Sequence, residues 1–271
     1  MDAKELLAKY AEGERNFQKI QLAEIDLTGV DLSGVDFSYA NLSAVDLSKA
    51  NLTNAKFYGA NLMRGNFTGA DLRNVVINSA NLSGADFSGA DLSGANLDSS
   101  NLNNATFDKA NLSKASLRSA NLTGASLMEA DISPATLDNA NLTGADLGKA
   151  DLSGANLIGV KLQSANFQEA QLRQVNLQNV DLSGFNLSGV DLSAANLAGT
   201  NLKKANLRGA NLERSSLIGA NLIRANLKGA NLKRADLTDA KTYGVSIKEA
   251  DLTNAIMPDG ERYKQEDSEK K

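Results

Sequence analysis

Every fifth residue from Leu22 to Leu252 repeats one choice: of 47 consecutive positions, 37 are Leu, six Phe, three Ile and one Thr, with no residue inserted or deleted. Two residues before each of these stands Ala at 31 positions and Val at 9. Positions two apart point to the same side of an extended chain, so both face inward. The residue between them, mostly Asn or Asp, points outward, and the next two have turn composition. A period of five drifts around a helix through every direction, so no helical face collects the leucines. Each repeat therefore reads as a short strand and a corner, and walls that cannot bury their apolar side alone must stack as a solenoid.

The exceptions give the number of sides. Phe17, Phe37 and Phe57 are twenty apart, and Phe67, Phe87, Phe107 and Phe167 also differ by multiples of twenty. A four-sided coil places all seven on two opposite walls, whereas a three-sided coil scatters them. Asn41, Asn61, Asn81, Asn101, Asn121 and Asn141 form an outward file at the same spacing, suited to an amide ladder. The expected fold is all-β: a quadrilateral parallel β-helix of about twelve coils, right-handed by the crossover rule. Residues 1–19 are expected to form an N-terminal helical cap, in which Asp2 caps and Leu6, Leu7 and Tyr10 share one face. Residues 20–255 form the repeat domain, and residues 256–271 a C-terminal cap, with Ile256, Met257 and Tyr263 covering the last coil, followed by a charged, disordered tail. Val175, Val180, Phe185 and Val190 replace the small inward Ala over one coil and are expected to swell it.

The motif A-(D/N)-L-x-x, followed from Ile20 to Ala255, resembles that of the pentapeptide-repeat family. The stretches Tyr10–Phe17 and Ala255–Gly260 are similar to the ends of its cyanobacterial members. That resemblance implies a right-handed quadrilateral β-helix acting as an interaction scaffold. It also implies an alternative, since some members mimic duplex DNA in shape and charge and bind type II topoisomerases.

Chemistry is conspicuous by what the chain lacks. There is no His and no Cys, hence no imidazole or thiolate for a metal and no Ser-His-Asp or thiol nucleophile. Outward Asp residues such as Asp71 and Asp91 stack on flat walls and lack the concave pocket that acid–base work uses. The reading is a non-enzymatic scaffold with no catalytic residue, cofactor or metal. The first residues lack the basic and apolar regions of a signal peptide and no apolar run reaches about 20 residues, so a cytoplasmic location without membrane insertion is expected.

Two partner surfaces stand out. On the wall of Phe37 and Phe57, Tyr39, Tyr58 and Val76 occupy positions that the repeat usually gives to Ser, Gly or Asn, and are expected to lie one above another. The corresponding stretches 156–159, 176–179, 196–199 and 216–219 carry no charge and expose Ile158 and Ile218. These five residues are the first candidate for a protein partner or a second copy of the chain. The second is basic: Lys203, Lys204, Arg208, Arg214, Arg224, Lys228, Lys233 and Arg234 oppose the single acid Glu213 between residues 201 and 235. From residue 21 to 160 the balance is 15 acidic to 8 basic. The basic residues are spread over three walls without interleaved exposed aromatics, so direct nucleic-acid binding is not expected.

Overall fold

The computed structural model describes residues 1–264; residues 265–271 of the expected charged tail lie outside the described residues. Two compact units are present. Unit 1 comprises Met1–Asp151 and Val160–Asn166, and unit 2 comprises Leu152–Gly159 with the described chain from Phe167 onward.

Both units are built from the same element. The residue before each central Leu makes one parallel bridge to the residue twenty places on, as in Gln21↔Asn41, Asp26↔Asp46, Asp31↔Asn51 and Asp36↔Lys56. Four such bridges complete a coil, so each side of the coil is one pentapeptide. Neighbouring residues bond in opposite directions: the Leu42 N–H donates to the Asn61 carbonyl at 2.8 Å, and the Asn41 N–H to the Ile20 carbonyl at 2.8 Å. The expected short strand is narrower than anticipated. One bridging residue is all that fits between consecutive two-residue turns.

The corner explains the turn composition. At Leu42–Val45 the Val45 N–H donates to the Leu42 carbonyl at 3.2 Å, and Ala44 has φ 52°, as in a type II turn. The outward Asn or Asp then serves the corner beside it: Asn41 Oδ1 accepts the Ser43 N–H at 3.3 Å, and Asp46 Oδ1 the Ser48 N–H at 2.9 Å. The same amides also link coils, Asn61 donating to Asn41 at 2.9 Å and Asn101 to Asn81 at 3.1 Å.

Inside, the phenylalanines stack as the spacing of twenty requires. Phe67, Phe87 and Phe107 lie nearly parallel at 4.8 and 4.9 Å, while Phe17, Phe37 and Phe57 are tilted at 5.9 and 5.6 Å. In unit 2, Val175, Val180 and Val190 are buried and Phe185 meets Phe167 at 6.1 Å. Polar residues at inward positions bond to the backbone, Ser100 to the Ile77 carbonyl at 2.8 Å and Thr200 to the Leu177 carbonyl at 2.9 Å. Among the described residues no buried side-chain polar atom lacks a partner.

The helix α1 (Ala3–Ala11) begins where Asp2 accepts the Glu5 N–H at 2.8 Å. Leu6 is fully buried, and the Tyr10 hydroxyl donates to the Ser33 carbonyl at 2.8 Å, which fixes α1 over the first coil. The Arg15 guanidinium sits 3.7 Å above the Tyr10 ring. Phe17, Leu22, Leu27 and Leu32 are consequently buried.

Unit 2 ends differently. Ile256 bridges Asp236 and then, antiparallel, Arg262; the Met257 N–H donates to the Glu261 carbonyl at 2.7 Å and the Tyr263 N–H to the Ala255 carbonyl at 2.8 Å. This reversal closes one of the four sides. A cavity of about 160 Å³ remains at this end, lined by Leu222, Leu227, Leu232 and Leu237 together with Thr242, Ile247 and Met257, and Ile247 is 46% exposed although it occupies an inward position. The C-terminal cap expected from Ile256, Met257 and Tyr263 is thus partial.

Candidate interaction site

The corner geometry sets the first candidate. Its second residue takes positive φ in repeat after repeat, and Gly, Asn, Ser, Lys and other flexible or polar residues fill it. Among the described residues Tyr39, at φ 61°, is the only aromatic there. Bulky side chains in the left-handed region are uncommon and are held there by their surroundings. Tyr39 leans over Gly59, where an added Cβ would stand 3.0 Å from its ring, and meets the Tyr58 ring edge-on at 5.2 Å. Desolvation, followed by the adjacent Tyr58, raises the Tyr39 phenol above its ordinary pKa. Even so, Tyr39 is 52% and Tyr58 39% exposed, so the N-terminal segment leaves both uncovered.

Val76 stands elsewhere on this side. It lies in the flat file Lys56–Val76–Asn96, partly exposed, with its carbonyl accepting the Phe57 N–H at 2.7 Å. The two tyrosines meet across the corner, and Val76 extends their surface over the neighbouring flat. In unit 2, Ile158 and Ile218 are exposed beside the uncharged floor Asn156, Asn176, Asn196 and Ser216.

The basic residues of unit 2 occupy three corners. Arg214 is 3.7 Å from Glu213, Lys228 3.9 Å from Glu249, and Lys233 3.1 Å from Asp251. Lys203, Lys204, Arg208, Arg224 and Arg234 have no ion pair among the described residues. One expectation changes: an exposed aromatic does stand among them. Tyr243 is 76% exposed, and its carbonyl accepts the Arg224 N–H at 2.9 Å. The break in the core pattern at Thr242 hid this, because the substitution reads as a fault in the repeat.

Among the described residues no cluster of three or more acidic side chains could hold a metal ion, and no helix is long and apolar enough to cross a membrane.

A family model described as pentapeptide repeats matches eight copies, which together run from residue 16 to 257 except residue 134. The chain belongs to the pentapeptide-repeat family, and its four-sided coil is that family's right-handed quadrilateral β-helix. Among solved structures, it is similar to HetL, a pentapeptide repeat protein involved in heterocyst differentiation regulation from the cyanobacterium Nostoc sp. The two are 35% identical over 97% of this chain and 100% of that one, with a TM-score of 0.40. QnrB1, a plasmid-mediated fluoroquinolone resistance protein, is 26% identical over 55% of this chain and 82% of its own, with a TM-score of 0.47. A pentapeptide repeat protein of the Arabidopsis thaliana thylakoid lumen is 38% identical over 38% of this chain and 68% of its own, with a TM-score of 0.30. No curated protein matches the chain.

Proposed function

We propose that this protein is a non-enzymatic, regulatory interaction scaffold that docks a protein partner through the Tyr39–Tyr58 corner of unit 1. The observation that carries the reading is Tyr39 itself: an aromatic ring in a left-handed corner, half exposed and braced by Tyr58. Paired exposed aromatics on a rigid frame lose little conformational freedom on binding, which is why such residues serve as anchors. The absence of His and Cys supports the non-enzymatic part, and the likeness to HetL supports a regulatory one.

The test is affinity capture from native cells with wild type and with the double variant Tyr39→Ser, Tyr58→Ser, both verified as folded. A specific partner is expected in the first and lost in the second, truncation of an anchor weakening binding by about 2 kcal/mol or more. Sedimentation of the purified protein decides whether that partner is a second copy. An unchanged complex in the folded double variant rejects the tyrosine corner.

A further inference from the structure

The basic residues of unit 2 are not evenly spread once the sides are followed coil by coil. One flat side has the floor file Asn186, Asn206, Asn226 and Ser246. The corner preceding the floor carries Lys203 and Lys204, then Arg224, then Tyr243; the corner following it carries Arg208, Lys228 and Lys248. Across the coils of Asn186, Asn206 and Asn226, neither floor nor corners contain a carboxylate. The floor amides are occupied with one another, Asn206 donating to Asn186 at 2.9 Å and Asn226 to Asn206 at 3.3 Å. Lys203, Lys204, Arg208 and Arg224 are exposed and form no ion pair among the described residues. The adjoining side is different: its floor holds Asp191 and Asp251, its far corner Glu213, and Lys233 and Arg214 are paired there.

We propose that this basic side, free of carboxylates across the coils of Asn186, Asn206 and Asn226, is a docking surface for an acidic α-helical segment of another protein. Charge complementarity selects the occupant: two rows of cations border a neutral, flat floor, and the one acid beside them, Glu249, sits at the end of the following corner between Lys228 and Lys248. Dimensions agree. The rows are separated by four residues of near-extended chain, at most about 13 Å, and a helix with its side chains is about 10–12 Å across. A helix lying between the rows can present Asp or Glu from both flanks, while Tyr243 and Ile223 supply apolar contact at one border. Nucleic acid is the poorer match, since the side offers no element to enter a groove and no series of aromatics for stacked bases.

The test uses fluorescence anisotropy at low salt with a labelled Glu/Ala helical peptide of about 20 residues, and with single-stranded and duplex DNA of equal net charge as competitors. The variant Lys203→Gln, Lys204→Gln, Arg208→Gln, Arg224→Gln is compared with a charge-matched control, Arg214→Gln, Lys233→Gln, Arg234→Gln, Arg262→Gln. All eight are exposed, and circular dichroism verifies folding. The first variant is expected to weaken peptide binding about tenfold, the control less than about twofold. Tyr39→Ser with Tyr58→Ser should leave peptide binding unchanged, which separates this surface from the tyrosine corner. Equal weakening by the two variants, tighter binding of either DNA, or no binding of the peptide by wild type overturns the proposal.

Discussion

Gly65 shows how tightly the interior is filled. It stands where the repeat prefers Ala, yet a Cβ there would lie 2.8 Å from the Phe67 ring and 3.1 Å from the Leu62 carbonyl. Gly65→Ala is expected to destabilise unit 1 by about 1–3 kcal/mol through overpacking, read as a lower midpoint in urea unfolding. In the sequence Gly65 is only a lapse from Ala, because ring orientation is not encoded in a period of five. Tyr39 makes the complementary case. Tyr39→Gly relieves a left-handed strain but removes an edge-on ring contact, two effects of about 1 kcal/mol with opposite sign. Stability should therefore change little while partner capture is lost, a result that separates binding from folding. The aspartates that close corners give a third expectation. Hydrogen bonds from the Thr253 side chain and backbone, and then Lys233, hold the Asp251 carboxyl at about 2, below the ordinary carboxylate range. Hydroxyl and backbone bonds from Ser48 likewise lower Asp46, and the Ser183 backbone and hydroxyl lower Asp181. A depressed folded pKa stabilises the fold above the unfolded value and loses that contribution as pH falls through the folded one. Melting temperature should thus decline between about pH 4 and 2, and Asp251→Asn should flatten part of that slope.

At the scale of the element, the two ends of the repeat are treated unequally. Helix α1 buries Leu6 and fastens Tyr10 to the Ser33 carbonyl, covering the first coil. Leu6→Ala should cost about 2–4 kcal/mol. Removing residues 1–15 should expose Leu22 and Leu27 and an unpaired edge, with association visible by light scattering; a monodisperse, equally stable truncation would show that α1 is no lid. The helix was legible because Asp2, Glu5, Leu6 and Tyr10 form a cap and a face. The last coil was less so: Ile256, Met257 and Tyr263 promise cover, but three sides remain without a following coil and Ile247 stays exposed. Composition signals an apolar cap and cannot tell that its backbone closes only one side. Strands as elements were overestimated for a related reason, since five residues divided among inward, outward and corner positions leave one for pairing.

For the whole molecule, the coil was readable from spacing, because Phe67, Phe87 and Phe107 could meet only in a coil of twenty, and the family from the resemblance of the A-(D/N)-L-x-x motif. The surfaces were readable only as residue types. Lys203 and Arg208 look scattered until the corners are known to border one floor, and Glu213, close to both in sequence, turns out to face the next side. Such a chain has an unusual property: the remainder of a residue number on division by twenty is a compass bearing. An insertion of five residues keeps every Leu inward but swings all that follows within the unit by a quarter turn. Placed after Ala50, it should leave a folded protein whose Tyr58 points along a different bearing from Tyr39. Selection on the interior therefore tolerates drift in steps of five, whereas selection on a docking face tolerates only steps of twenty. The unbroken count of five from Leu22 to Leu252 therefore records the interior alone; a face is recorded only by what recurs at twenty, as the outward file Asn41, Asn61, Asn81, Asn101, Asn121 and Asn141 does.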